Sequence, residues 1–140
     1  MNLMNWNECE EKFIRKIEVD EERIASIIEM AMKRLDLIKS IKSTGNNISF
    51  IVEGYYEVIK ELLVAYLLKN GMKSKNHQCL ITYFCRKNPD LEHETNLISQ
   101  LSYFRNRLDY YGEKIPSAFY ERNKTEFEII IKLIMKLIKE

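Results

Sequence analysis

From Ile48 to Asn70 the chain carries an unbroken helical repeat. At about 100° per residue, Ile51, Tyr55, Val58, Ile59, Leu62, Leu63, Tyr66 and Leu67 cover one half of the cylinder. Glu53, Glu57 and Glu61, with Lys60, line the other half. Asn70-Gly71 stops the repeat, because glycine takes the left-handed conformation at a helix end without steric cost. The apolar half has to be buried, and the rest of the chain reads as further helices that can bury it.

Asp20 ahead of Glu21 and Glu22 predicts an N-cap with negative charge in the first turn. Ile24, Ile27, Ile28, Ala31, Leu35 and Ile38 follow at helical spacing, and the turn-forming run from Ser40 to Asn47 ends that helix. Ser74 is expected to cap a shorter helix to about Lys87, broken by Asn88-Pro89-Asp90. The next helix runs from about Leu91 to Tyr110, with Leu97, Leu101, Phe104 and Leu108 as its stripe, and Gly112 and Pro116 close it. In the last helix, about Ala118 to Lys139, the stretch Phe127 to Ile138 is apolar around roughly 240° of arc. Glu128, Lys132, Lys136 and Lys139 are left for the wet side. So wide an arc fits either deep burial in a four-helix bundle or burial of part of the face against a second copy of the chain. The segment from Asn5 to Glu18 is only weakly periodic, through Trp6, Phe13, Ile14 and Ile17. No strand alternation is visible, and 4 Gly and 2 Pro in 140 residues leave few tight turns. The expected class is all-α, an up-and-down helical bundle of four to five main helices. Residues 1–19 form an N-terminal arm or short helix and residues 20–140 a single domain.

Charge excludes the simplest nucleic-acid binder. Twenty-two Lys and Arg against 21 Asp and Glu leave a net charge of +1, so any nucleic-acid contact must come from a local patch. At 46% hydrophobic and 31% charged, the chain is too apolar for disorder and too charged for a membrane-embedded protein. Its longest apolar run, Leu62 to Leu68, falls far short of the ~20 residues of a membrane span, and the polar N-terminus has no signal-peptide core. Cys9, Cys79 and Cys85 are odd in number and without CxxC spacing, which reads as buried or free thiols in a reducing cytoplasm. His77 and His93 have no cysteine in ligand spacing, so neither a metal nor another cofactor is expected. The row Glu53, Glu57, Glu61 lacks the Glu-x-x-His partner of a carboxylate di-metal site and reads as a solvated face.

The stretch from Leu101 to Gly112 is where chemistry can sit. Arg105 lies at the edge of the apolar stripe, where a guanidinium is costly unless an acid or an anion meets it. Asp109 is one turn on and can pair with it. Asn106, Arg107, Tyr103 and Tyr110 point away from the stripe. Two arginines, an amide and neighbouring tyrosines, Tyr111 among them, suit phosphate and base contacts, since arginine forks onto phosphate and tyrosine faces stack on bases. The alternative is a solvated helix end with a structural Arg105–Asp109 pair.

Three pieces carry a family resemblance: Tyr56 to Gly71, then Lys73-Ser-Lys-Asn-His77 with Leu80-Ile81, then Arg105-Asn-Arg-Leu-Asp-Tyr-Tyr-Gly112. Together they resemble the HEPN family (higher eukaryotes and prokaryotes nucleotide-binding), small α-helical domains of which many are homodimeric, metal-independent RNases. Others are toxins neutralised by a small nucleotidyltransferase antitoxin. The resemblance implies a bundle that binds RNA or a nucleotide around Arg105, Asn106, Arg107, Asp109, Tyr110 and Tyr111. It also implies a homodimer, or a non-catalytic module paired with a nucleotidyltransferase. In the family's motif an Arg and a polar residue are followed by a His. Arg105 and Asn106 match, and Tyr110 stands in the place of the His. Arg105 and Tyr110 are therefore the expected catalytic pair, with weak or no cleavage because a tyrosine hydroxyl is a poor base at neutral pH. His77 matches a histidine common in the family near that helix start, and reads as structural or capping.

Overall fold

The computed structural model describes residues 2–140. They form a helical bundle of six helices: α1 Trp6–Lys12, α2 Glu21–Ser40, α3 Ile48–Lys69, α4 His77–Lys87, α5 Glu92–Tyr111 and α6 Ser117–Lys139. The predicted stops hold where local chemistry dictates them. Asp20 Oδ1 accepts from the Arg23 amide at 3.1 Å, and Gly112 closes α5 in the left-handed conformation at φ 65°.

α3 is the axis of the bundle, packed against α2, α4, α5 and α6. Ile51, Tyr55, Val58, Ile59, Leu62, Leu63, Tyr66 and Leu67 are buried as their spacing predicts, and Val52, Tyr56, Ala65 and Leu68 are buried as well. The helix is therefore covered on nearly every side. Gly54 marks the tightest approach, since a Cβ there would lie 2.7 Å from Ile38 Cδ1 of α2. α6 contributes Phe127, Ile130, Ile131, Ile134 and Ile138 to the core, while Ile129 stays exposed.

Three expectations are corrected. The helix at His77 is capped by Asn76, whose Oδ1 accepts from the Gln78 amide at 2.8 Å. Ser74 belongs instead to a strand. Among the described residues the chain has a two-stranded antiparallel ribbon, β1 Ile14–Lys16 against β2 Met72–Ser74, with Ile14 opposite Ser74. Strands of three residues are too short to display an alternation. Lastly, Cys9 and Cys79 are joined in a disulfide rather than held as thiols, and only Cys85 is free. The pairing depends on α1 docking onto α4, where Trp6 lies against Tyr83 and Thr82 Oγ1 donates to the Met4 carbonyl at 2.9 Å. No local spacing encodes a contact between residues 70 apart. No helix of the described residues is long and apolar enough to cross a membrane.

Candidate functional site

The side of α3 that faces α4 and α5 holds charge where the rest of the helix holds aliphatics. Glu53, Glu57, Lys60 and Glu61 are half-buried there, so the acidic row is not the solvated face its spacing predicted. Helical periodicity shows which side of a helix is apolar. It cannot show that another helix brings a cation to the opposite side. Here α5 brings Arg105. Its Nε lies 2.9 Å from Asp109 Oδ2, and one terminal nitrogen lies 3.6 Å from Glu57 Oε1. The guanidinium sits over the buried Tyr56 ring at 5.8 Å. The Arg105 Nε–H does not point along the line to Asp109, so that contact is an ion pair and the buried N–H has no acceptor among the described residues.

Three carboxyls crowd this one guanidinium, and one of them responds. Glu53 shares a hydrogen bond with Asp109, and burial adds to its effect, so the Glu53 carboxyl is pushed up to about 7. Two carboxylates side by side cannot both ionise cheaply, and Arg105 only partly offsets the cost. Lys60 serves the far end of the row, 2.8 Å from Glu57 and 3.8 Å from Glu61.

Beside this cluster opens a concave pocket of about 300 Å³, lined by Tyr56, Lys75, Asn76, His77, Gln78, Ser102, Arg105, Asn106 and Tyr110. The start of α4 forms one wall and the middle of α5 the other. The His77 side chain makes no hydrogen bond or ion pair among the described residues, and the capping role is taken by Asn76. Burial lowers its pKa, and the positive charges of Lys60 and Arg105 push in the same direction, so the imidazole is neutral at physiological pH.

The structure thus gathers Arg105, Asn106 and Tyr110 at one pocket, with Asp109 behind Arg105. It does not bring Arg107 and Tyr111 to that pocket. Arg107 Nε donates to Glu113 Oε2 at 2.9 Å, and its guanidinium stacks on Tyr111 at 4.2 Å on the outer surface. Six pocket residues are missing from the sequence-derived site: Tyr56, Lys75, Asn76 and His77, which fall in the pieces that carry the resemblance, and Gln78 and Ser102, which do not. His93 lies elsewhere, exposed and 3.9 Å from Glu126. Among the described residues no group of three His, Cys, Asp or Glu could hold a metal ion. Compared with models of protein families, with curated proteins and with solved structures, the chain matches none.

Proposed function

We propose that this chain is a HEPN-like bundle that binds RNA or a nucleotide, with a ligand phosphate at Arg105 flanked by Lys75, Asn106 and Tyr110. The observation that carries this reading is the convergence of Lys75, His77, Arg105, Asn106 and Tyr110 on one concave site. A fork-shaped donor, a second cation and a neutral imidazole are the groups a phosphodiester needs. Cleavage at such a site is metal-independent and slow. The ribose 2′-hydroxyl gives its proton to His77, and its oxygen bonds to the adjacent phosphorus. The bond from phosphorus to the 5′-oxygen breaks, and that oxygen takes a proton from Tyr110. His77 is the better base, because burial and the nearby cations lower its pKa and leave the imidazole free to accept a proton, whereas a phenol is a poor base at neutral pH. Single-stranded RNA incubated with and without EDTA tests this. Weak cleavage that ignores EDTA, disappears in His77→Gln and survives in Tyr110→His supports it. Cleavage unchanged by His77→Gln removes His77 from the reaction, and retention of RNA by Arg105→Ala removes the phosphate site. The Cys9–Cys79 bond removes the free-thiol argument for a cytoplasmic location, since such bonds are rare in the reducing cytosol.

A second reading, a protein-interaction module, is favoured by the groove between α2 and α6. Met32, Leu35, Ile131 and Met135 line it, rimmed by Lys39, Lys132, Lys136 and Lys139. A second copy of the chain, or a nucleotidyltransferase partner, would cover it. In light scattering the homodimer gives twice the 16.8 kDa of one chain. A monomer at tens of micromolar leaves the groove to a different partner.

A further inference from the structure

A second cavity, of about 880 Å³, lies between α5 and the first turns of α6, and it shares the wall Gln78, Ser102 and Asn106 with the Arg105 pocket. Gln78 Nε2 donates to Ser102 Oγ at 2.9 Å, so the divide between the two is a hydrogen-bonded ridge with side chains lining both sides. The chemistry of the two sides differs. The Arg105 pocket is lined by cations and an imidazole. The larger groove also has an imidazole, His93, but no carboxylate in its lining, a single strong cation in Arg122, and amides at intervals along its length, including Asn96, Gln100 and Asn123. Its aromatic side is a connected series, with Tyr103 edge-on to Phe104 at 5.4 Å and Phe104 against Phe119 at 4.6 Å. Tyr103 is 59% exposed. A large aromatic ring left in water beside a row of amides gains nothing from the fold, which already buries Phe104 and Phe119 more deeply.

We infer that this groove is a base-reading subsite for an unpaired nucleotide strand whose phosphate occupies the Arg105 pocket. Primary amides both donate and accept, which suits the mixed edges of nucleobases, and the face of an exposed tyrosine stacks on any base. The volume falls within the range of small-molecule sites. A duplex hides its Watson–Crick edges and its base faces, so the groove selects single strands. The inference rests on the reading of the Arg105 pocket as a phosphate site, and the two fail differently.

The test measures binding of three probes by fluorescence anisotropy or calorimetry: ribose 5-phosphate, a single-stranded RNA hexamer and the same hexamer in a duplex. The wild-type chain should bind the single strand at least about tenfold more tightly than ribose 5-phosphate, since each stacked base adds severalfold or more. Tyr103→Ala, and separately Asn96→Ala with Gln100→Ala, should each lose about fivefold or more for the single strand and leave ribose 5-phosphate unchanged. These positions lie on one face of α5, and circular dichroism checks that the helix persists. Single-strand binding untouched in both groove variants, or a duplex bound as tightly as the single strand, overturns the base subsite and leaves the phosphate site standing. Arg105→Ala binding ribose 5-phosphate and hexamer like wild type overturns the phosphate site and this inference with it.

Discussion

Arg105 and Arg107 sit two residues apart on α5 and have the same kinds of neighbour. Each is paired with a carboxylate, Asp109 for one and Glu113 for the other, and each lies over a tyrosine ring. At about 100° per residue the two side chains leave the helix some 200° apart. Arg105 therefore enters the cleft between α3, α4 and α5, and Arg107 lies along the outside. The two motifs are alike in kind, though Arg105 has Glu57 as a second carboxylate. What separates them is the dielectric around each: the more withdrawn guanidinium of Arg105 interacts more strongly with an arriving anion, whereas that of Arg107, nearer the surface, is more screened by solvent and salt.

The largest effect that sharpens this contrast comes from outside α5. The inner cleft needs α4 as a wall, and the Cys9–Cys79 bond ties the start of α4 to α1. Closing so long a loop contributes about 4 kcal/mol through the unfolded chain. Reduction should lower stability in urea melts by roughly that amount and weaken binding at Arg105. A melt unchanged by reductant would mean that α4 stands without the bond. Next in size is the arginine pair itself. Arg105→Ala should lose about tenfold or more in affinity for a single-stranded RNA hexamer, the worth of a charge-assisted hydrogen bond, while Arg107→Ala should alter affinity and melting temperature little. Equal losses in the two variants would erase the distinction between inner and outer arginine.

The smallest effect is a pH dependence that only the inner cluster should have. The folded-state pKa of Glu53 is raised from 4.5 to about 7, so between those values the folded chain holds a proton that the unfolded chain has released. Stability from this group is full below pH 4.5 and falls as pH rises toward 7. Glu53→Gln should flatten that segment of the stability profile and raise the melting temperature at pH 8 relative to wild type. Melts whose pH dependence is the same in both proteins would show that Glu53 is not sharing its proton.

Much of the fold was legible because its signals are local. The stripes of α2, α3, α5 and α6, the Asp20 cap and the Gly71 and Gly112 stops depend only on residues within a few turns of one another. The ribbon, the disulfide and the buried charge on α3 were not legible, because each depends on what a distant segment places opposite. The same division runs through the site. Arg105 with Asp109 could be read along one helix. That His77 and Lys75 would face Arg105 is a fact about the packing of α4 on α5. The amides of the larger groove left a weak trace, Asn96, Gln100 and Asn106 on a single helix, but nothing in their spacing points to Gln78 or Asn123 across from them.

The bond between residues 9 and 79 also sets an order of events. During synthesis Cys9 of α1 emerges 70 residues ahead of Cys79 of α4, and α1 cannot dock on α4 until that helix follows. At roughly 5–20 residues per second that interval is about 4 to 14 seconds. Throughout it Cys9 is a solvated thiol on a loose segment, while α2 and α3 can already pair. The ribbon and the disulfide then close around a hairpin that has formed without them. The residues of α1 are thus made well before they can be fastened, and the wall that carries His77 is finished only when the two segments meet.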